Sequence, residues 1–178
     1  TTQDADLSLS VNGVEVTTAV GTALNHDLLL DATGDYLLNV TATLDGATTS
    51  AEATVFVMPE TPPVVAPPAG IVDGINHIDD NTVILQWTAP FKDFIFVVGD
   101  FNGWSLNEAS MMNAVGDGET FWIQLNDLTP GEAYRYQYHI LPDDIRVADA
   151  YAEVILDQWN DSWIPETTYP NMPAYPAN

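Results

Sequence analysis

With 178 residues and 46% hydrophobic content, the chain can hold one ordinary domain or two small ones with a real core, and it is not a disordered acidic tail. Three Lys and Arg stand against 26 Asp and Glu, and the formal net charge of -23 repels nucleic acid and anionic membranes while leaving neutral sugars open as partners. The chain has no Cys, which excludes disulfides and thiolate metal sites, and no apolar run approaches the ~20 residues of a membrane-spanning helix, so no membrane insertion is expected.

Residues 1–58 read as short strands separated by turn signals. Leu7, Leu9 and Val11 alternate with polar residues, Asn12-Gly13 turns the chain, and Val14-Glu15-Val16 alternates again as the return strand of a hairpin. Leu28 to Leu30 is a short apolar strand, and Thr33-Gly34-Asp35 is a turn. Tyr36, Leu38, Val40, Ala42 and Leu44 then mark one face of a longer strand, and Asp45-Gly46 leads into a strand with Ala51, Ala53, Val55 and Val57 on one face. Five strands at this spacing predict a small immunoglobulin-like antiparallel β-sandwich.

Residues 59–70 carry Pro59, Pro62, Pro63, Pro67 and Pro68, which remove backbone donors and favour extended polyproline geometry. This segment is expected to be a semi-rigid linker. The fold class is therefore all-β, with two tandem immunoglobulin-like sandwiches joined by a Pro-rich linker.

The second domain, 71–158, opens with Asp73 to Ile78 and the Asp79-Asp80-Asn81 turn. Val83, Leu85 and Trp87 then alternate with Ile84, Gln86 and Thr88, which places Trp87 in the core. Phe94 to Val98 is apolar throughout and too short for an ordinary helix, so it reads as a strand buried on both faces. Gly99 and Asp100 end it, and Asn102-Gly103 is a strong turn dipeptide because both residues tolerate positive φ at little steric cost, so the turn presents Trp104. Met111 and Met112 lie in a loop expected to fold back over the sheet. Phe121, Ile123 and Leu125 share one face of the next strand, leaving Trp122 and Gln124 on the other. After Pro130-Gly131, Tyr134, Tyr136 and Tyr138 alternate with Arg135, Gln137 and His139. The tail, 159–178, carries Trp159, Trp163, Tyr169 and Tyr175 among prolines, a composition that favours docking on a surface because rigid aromatic residues lose little entropy there.

The stretch Val98-Gly99-Asp100-Phe101-Asn102-Gly103-Trp104 resembles the signature turn of family 48 carbohydrate-binding modules, and the resemblance continues through Phe121-Trp122-Ile123, Leu128-Thr129-Pro130-Gly131 and Tyr134-Arg135-Tyr136-Gln137-Tyr138. Asp73-Gly74-Ile75-Asn76, Ala148-Asp149-Ala150-Tyr151, Leu156-Asp157-Gln158-Trp159-Asn160-Asp161 and Tyr169-Pro170-Asn171 are similar to the subgroup that precedes the catalytic barrel of secreted bacterial α-amylase-like enzymes of glycoside hydrolase family 13. The resemblance covers about the C-terminal three fifths of the chain. It implies an immunoglobulin-like sandwich that binds starch or another α-glucan, a catalytic barrel of the same polypeptide as partner, and a secreted, extracellular or cell-surface location. The N-terminal residues Thr1-Thr2-Gln3-Asp4 carry no signal-peptide pattern, so secretion rests on the resemblance alone.

Members that bind glycogen or starch use the Trp of this turn, a Lys on the later strand and a second Trp. Here Trp104 matches, Gln137 stands at the Lys position, and Arg146 or a neighbour stands at that of the second Trp. Trp104, Trp122, Gln137 and Arg146 are thus the candidate sugar-binding residues, and Trp159, Trp163, Tyr169 and Tyr175 the candidates for docking on the barrel. Trp104 is equally a candidate domain-contact anchor, and for Trp122 a sheet-edge packing role is the stronger reading. Two further readings stand beside this one. The two replacements favour a structural spacer without sugar affinity, while Trp104 and Trp122 exposed on one face would favour a stand-alone starch-binding protein.

No catalytic, metal-binding or cofactor-binding residue is assigned. Asp79-Asp80 and Asp143-Asp144 read as solvated turns, no EF-hand pattern is present, and His26, His77 and His139 lack a nucleophile-elbow context. The acid excess with Lys92 as the single Lys points to a protein adapted to salt.

Overall fold

A computed structural model describes residues 3–175 as an all-β chain whose described residues separate into two compact units, residues 3–60 with 107–109 and residues 61–106 with 110–175. In the first unit, β1 (Ala5–Val11), β2 (Val14–Gly21), β3 (Gly34–Leu44) and β4 (Ala47–Val57) form one antiparallel sheet in the order β2-β1-β3-β4. Asn12 (φ 49°) and Gly13 (φ 78°) make the first hairpin turn, and Asp45 (φ 52°) and Gly46 (φ 81°) the second. Paired positive φ values match the right-handed twist of the strands they join, which is why Asn-Gly and Asp-Gly occupy them.

Register sorts the two faces of this sheet. Leu9 lies opposite Val40 and Val40 opposite Ala51, while Val11 faces Leu38 and Leu38 faces Ala53, so the apolar residues share one side. The other side carries Ser8 bonded to Glu15 and Asn39 bonded to Glu52. Two expectations need correction. Leu28 to Leu30 is not a strand, because three apolar residues between Asp27 and Asp31 are too few for a ladder, and Leu29 is 83% exposed. Without that strand the unit is a single four-stranded sheet among the described residues, not two packed sheets.

The second unit is a β-sandwich. One sheet has the order β5 (Gly74–His77), β6 (Val83–Thr88), β9 (Thr120–Leu125) and β8 (Asn113–Ala114); the other has β11 (Ile145–Val147), β10 (Tyr136–Leu141) and β7 (Phe94–Gly99). Leu85, Phe121 and Ile123 from the first sheet meet Ile95, Val97 and Tyr138 from the second in one core. Residues Ile95 to Val98 are all fully buried, as their unbroken apolar run predicts, and at ~1.5–3 kcal/mol per buried side chain β7 is the strand the unit depends on most. Met112 donates its amide to Ile95 O and is itself buried, so the loop of Met111 and Met112 closes the free edge of β7. Trp87 stacks on Tyr138 with centroids 4.7 Å apart.

Part of the Pro-rich segment is built into this unit. Val64 bridges Ala114 in parallel, Ala114 N donates to Pro63 O and Val65 N donates to Ala114 O. Pro63 thus offers its carbonyl and Val65 its amide to the edge of β8, and the amide is a donor that a proline at 65 would lack.

Candidate functional site

The turn after β7 is built by side chains rather than by a two-residue hairpin. Gly99 N donates to Asn102 Oδ1 and Asn102 Nδ2 donates to Val97 O, so the amide of Asn102 closes the loop from inside. Asn102 itself does not use the positive φ it tolerates. The left-handed residues are Gly103 (φ 60°) and Trp104 (φ 62°). A bulky aromatic in that region costs ~1–3 kcal/mol, which the neighbouring contacts must offset.

Those contacts are visible. Trp104 N donates to Gly99 O at 3.0 Å, and its indole Nε1 donates to Asp100 Oδ1 at 3.1 Å. Arg135, just before β10, grips the same carboxylate at both oxygens: Nε to Oδ2 at 2.8 Å and Nη2 to Oδ1 at 2.9 Å, with its backbone N also donating to Oδ2 at 3.0 Å. A bidentate guanidinium–carboxylate pair fixes orientation as well as distance. Arg135 holds the carboxyl of Asp100 below its usual range, and Asp100 in turn raises the guanidinium. A depressed folded-state pKa stabilises above the unfolded value of ~3.9 and is lost as pH falls through the folded value. The platform should therefore hold through the neutral range and loosen only below pH ~4; an acid titration of the Trp104 indole signal checks this, and a transition near pH 6 would contradict it.

Trp104 is half-buried on the wall of a groove of about 260 Å³ that also receives Arg135, Gln137, Tyr169, Pro173 and Tyr175. Trp104 and Gln137 are thus brought together, whereas the other two sugar candidates lie elsewhere. Trp122 is 8% exposed and donates Nε1 to Val65 O at 2.8 Å, so Pro63 to Val65 covers the face on which it stands and it offers no exposed stacking surface. Without an exposed Trp122, the paired-indole argument for a stand-alone binding protein loses its basis. Arg146 is exposed on β11 opposite His139 and does not line the groove.

The four docking candidates divide in two. Trp159 and Trp163 are 77% and 84% exposed, while Tyr169 and Tyr175 line the groove with Trp104. The tail is fastened there by Arg135, whose Nη1 donates to Ala174 O at 2.9 Å.

Sequence reasoning missed Asp100, Arg135 and Asp149. Asp149 is buried and accepts the hydroxyls of Tyr136 at 2.6 Å and Tyr138 at 3.1 Å while Oδ1 accepts Tyr151 N at 2.8 Å. Burial first, and then Asp149, pushes both phenols above their ordinary range, so they stay protonated donors. Scarcity was the available signal for Arg135: one of three Lys and Arg among 26 acids has a choice of partners, and it sits beside one carboxylate. The Asp79 turn is structural, since its carboxylate accepts Asn81 N and is lowered by that bond. Among the described residues no three His, Asp or Glu side chains converge as a possible metal site, and no helix is long and apolar enough to cross a membrane. The sequence matches no known protein-family model, and no curated protein matches it.

Proposed function

We propose that the second unit is an α-glucan-binding module of the family 48 type, belonging to the non-catalytic N-terminal region of a secreted α-amylase-like glycoside hydrolase. The observation that carries this reading is Trp104: a half-buried indole in a left-handed backbone conformation, locked through Asp100 and Arg135 at the wall of a groove. Sugars stack an apolar ring face on an aromatic while side-chain amides and hydroxyls read the sugar hydroxyls, and Gln137 lies in the same groove to do so. The strand order β5-β6-β9-β8 over β11-β10-β7 is that of the constant-type immunoglobulin sandwich, which supports the fold the resemblance implies. Such a module raises the effective concentration of glucan near a catalytic barrel of the same polypeptide, and the first unit is read as a spacer.

Electrophoresis through gels with and without amylopectin tests the reading. The chain should be retarded by the polysaccharide and Trp104→Ala should not, while equal mobility of the unsubstituted chain in both gels would contradict it.

A structural module without sugar affinity is the second reading, and Trp159 and Trp163 favour it. Two indoles this exposed, outside the groove, are suited to a protein contact such as the catalytic barrel.

The charge of -23 adds a salt prediction. Thermal stability should rise from low salt to ~1 M, where the Debye length falls to roughly 3 Å and carboxylate repulsion is screened. A midpoint indifferent to salt would remove the proposed adaptation.

A further inference from the structure

We infer that the C-terminal tail supplies the second aromatic wall of the groove, with Tyr169 and Tyr175 facing the sugar that Trp104 stacks and Arg135 latching the tail in place. The inference rests on the α-glucan reading above. It answers a specific gap: Ile145, Arg146 and Val147 of β11 supply no aromatic side chain, whereas Tyr169 and Tyr175 line the groove with Trp104 from the tail.

Three observations favour a wall over a plug. The tyrosines remain 38% and 36% exposed, so their rings are neither consumed by packing nor left unsupported. Pro173 lines the groove and is followed by Ala174, whose carbonyl accepts Arg135 Nη1, so the backbone between the two tyrosines is restricted in φ at one residue and anchored at the next. The same guanidinium holds Asp100, and Asp100 holds the Trp104 indole. One cation therefore sets the positions of both aromatic walls, and a short rigid segment carrying two rings adds contact area with little ordering cost. The groove of about 260 Å³ that remains open lies just under the ~300–1,000 Å³ typical of drug-sized ligands. It suits a short segment of glucan gripped on two sides.

The test uses the full chain labelled with 5-fluorotryptophan, with the Trp104 resonance assigned through Trp104→Phe, and titrates maltoheptaose while following that resonance. The unsubstituted chain should bind, and the Tyr169→Ala/Tyr175→Ala double variant should bind about tenfold more weakly, as expected for losing aromatic stacking. Unchanged fluorine signals of the other four indoles report that the fold is kept. Tyr169→Phe/Tyr175→Phe should retain affinity, because the ring face rather than the hydroxyl is what the sugar meets. Arg135→Lys keeps charge beside Asp100 but cannot make the bidentate grip and reach Ala174 together; it should weaken binding more in the intact chain than in the double-alanine chain, where only the Trp104 wall is left for it to set. If the double-alanine chain binds as tightly as the unsubstituted one, or more tightly, the wall is overturned and the tail is inert or a plug. If the unsubstituted chain gives no response to maltoheptaose, the glucan reading itself fails and the wall falls with it.

Discussion

Replacing Asp149 with Ala is expected to lower the stability of the second unit by about 4 kcal/mol, the range for stripping a buried charged acceptor from several donors at once. Two phenolic hydroxyls and the Tyr151 amide converge on this one carboxylate, and Tyr138 is among the most deeply buried side chains in the unit. The Ala variant leaves these donors without an acceptor and opens a gap between β10 and the segment that follows β11. Asp149→Asn keeps the volume and one acceptor oxygen and should cost less. Denaturant titration of both variants measures the effect, and a loss below ~1 kcal/mol for Asp149→Ala would show that water replaces the carboxylate there. The arrangement also explains the motif that carries Asp149: Tyr151, two residues on, packs so closely against Gly74 that a Cβ there would come within 2.9 Å of its ring.

Gly99→Ala is expected to destabilise the same unit by about 3 kcal/mol, the upper part of the usual range for forcing atoms into a packed site. The backbone at Gly99 is fully extended, φ -175°, so conformation is not what demands glycine. Space is. An added Cβ would lie 2.5 Å from Arg135 O and 2.8 Å from Tyr136 Cβ, at the start of β10, the strand that β7 pairs with, and neither can swing away as a flexible side-chain end could. Because Gly99 O accepts Trp104 N, relief of this clash would also turn the platform. Gly103→Ala makes the useful contrast. Gly103 has φ 60° and no heavy atom nearer than Ser105 Oγ at 4.0 Å, so it should lose only about 1 kcal/mol through conformational strain. Comparable losses at Gly99 and Gly103 would contradict the steric account.

The strands with strong local signals were legible in the sequence. β7 announces itself as an unbroken apolar run, and the Asn12-Gly13 and Asp45-Gly46 turns fix their hairpins because the dipeptides tolerate the required φ. Leu28 to Leu30 carries the same kind of signal over too short a span, and no neighbouring edge takes it up.

At the site, local pattern was a poorer guide. Period two correctly separates Trp122 from Phe121 and Ile123, yet it says only which face a side chain occupies and not what lies over that face. The cover comes from Pro63 to Val65, where composition suggests an extended spacer but cannot show which backbone groups bond to β8. The tail's aromatic and proline content points to docking without naming the acceptor, and the acceptor is a long-range bond from a guanidinium to a backbone carbonyl, 39 residues apart. Asn102-Gly103 likewise looks like a hairpin turn, but the Asn102 side chain bonds Gly99 and Val97 and moves the left-handed pair one residue on, to Gly103 and Trp104. In each case the deciding contact joins segments distant in sequence, or a side chain to backbone, and neither leaves a periodic trace.

Isothermal titration of the 178-residue chain with maltoheptaose and with β-cyclodextrin, at low and at high salt with the fold verified in each, tests the central claim most directly. The account predicts heat of binding that Trp104→Ala weakens at least about 30-fold, the ~2 kcal/mol expected of an aromatic hot spot. A folded chain that gives no heat with either ligand in either buffer would contradict it, and Trp104 would then belong to a contact with another domain.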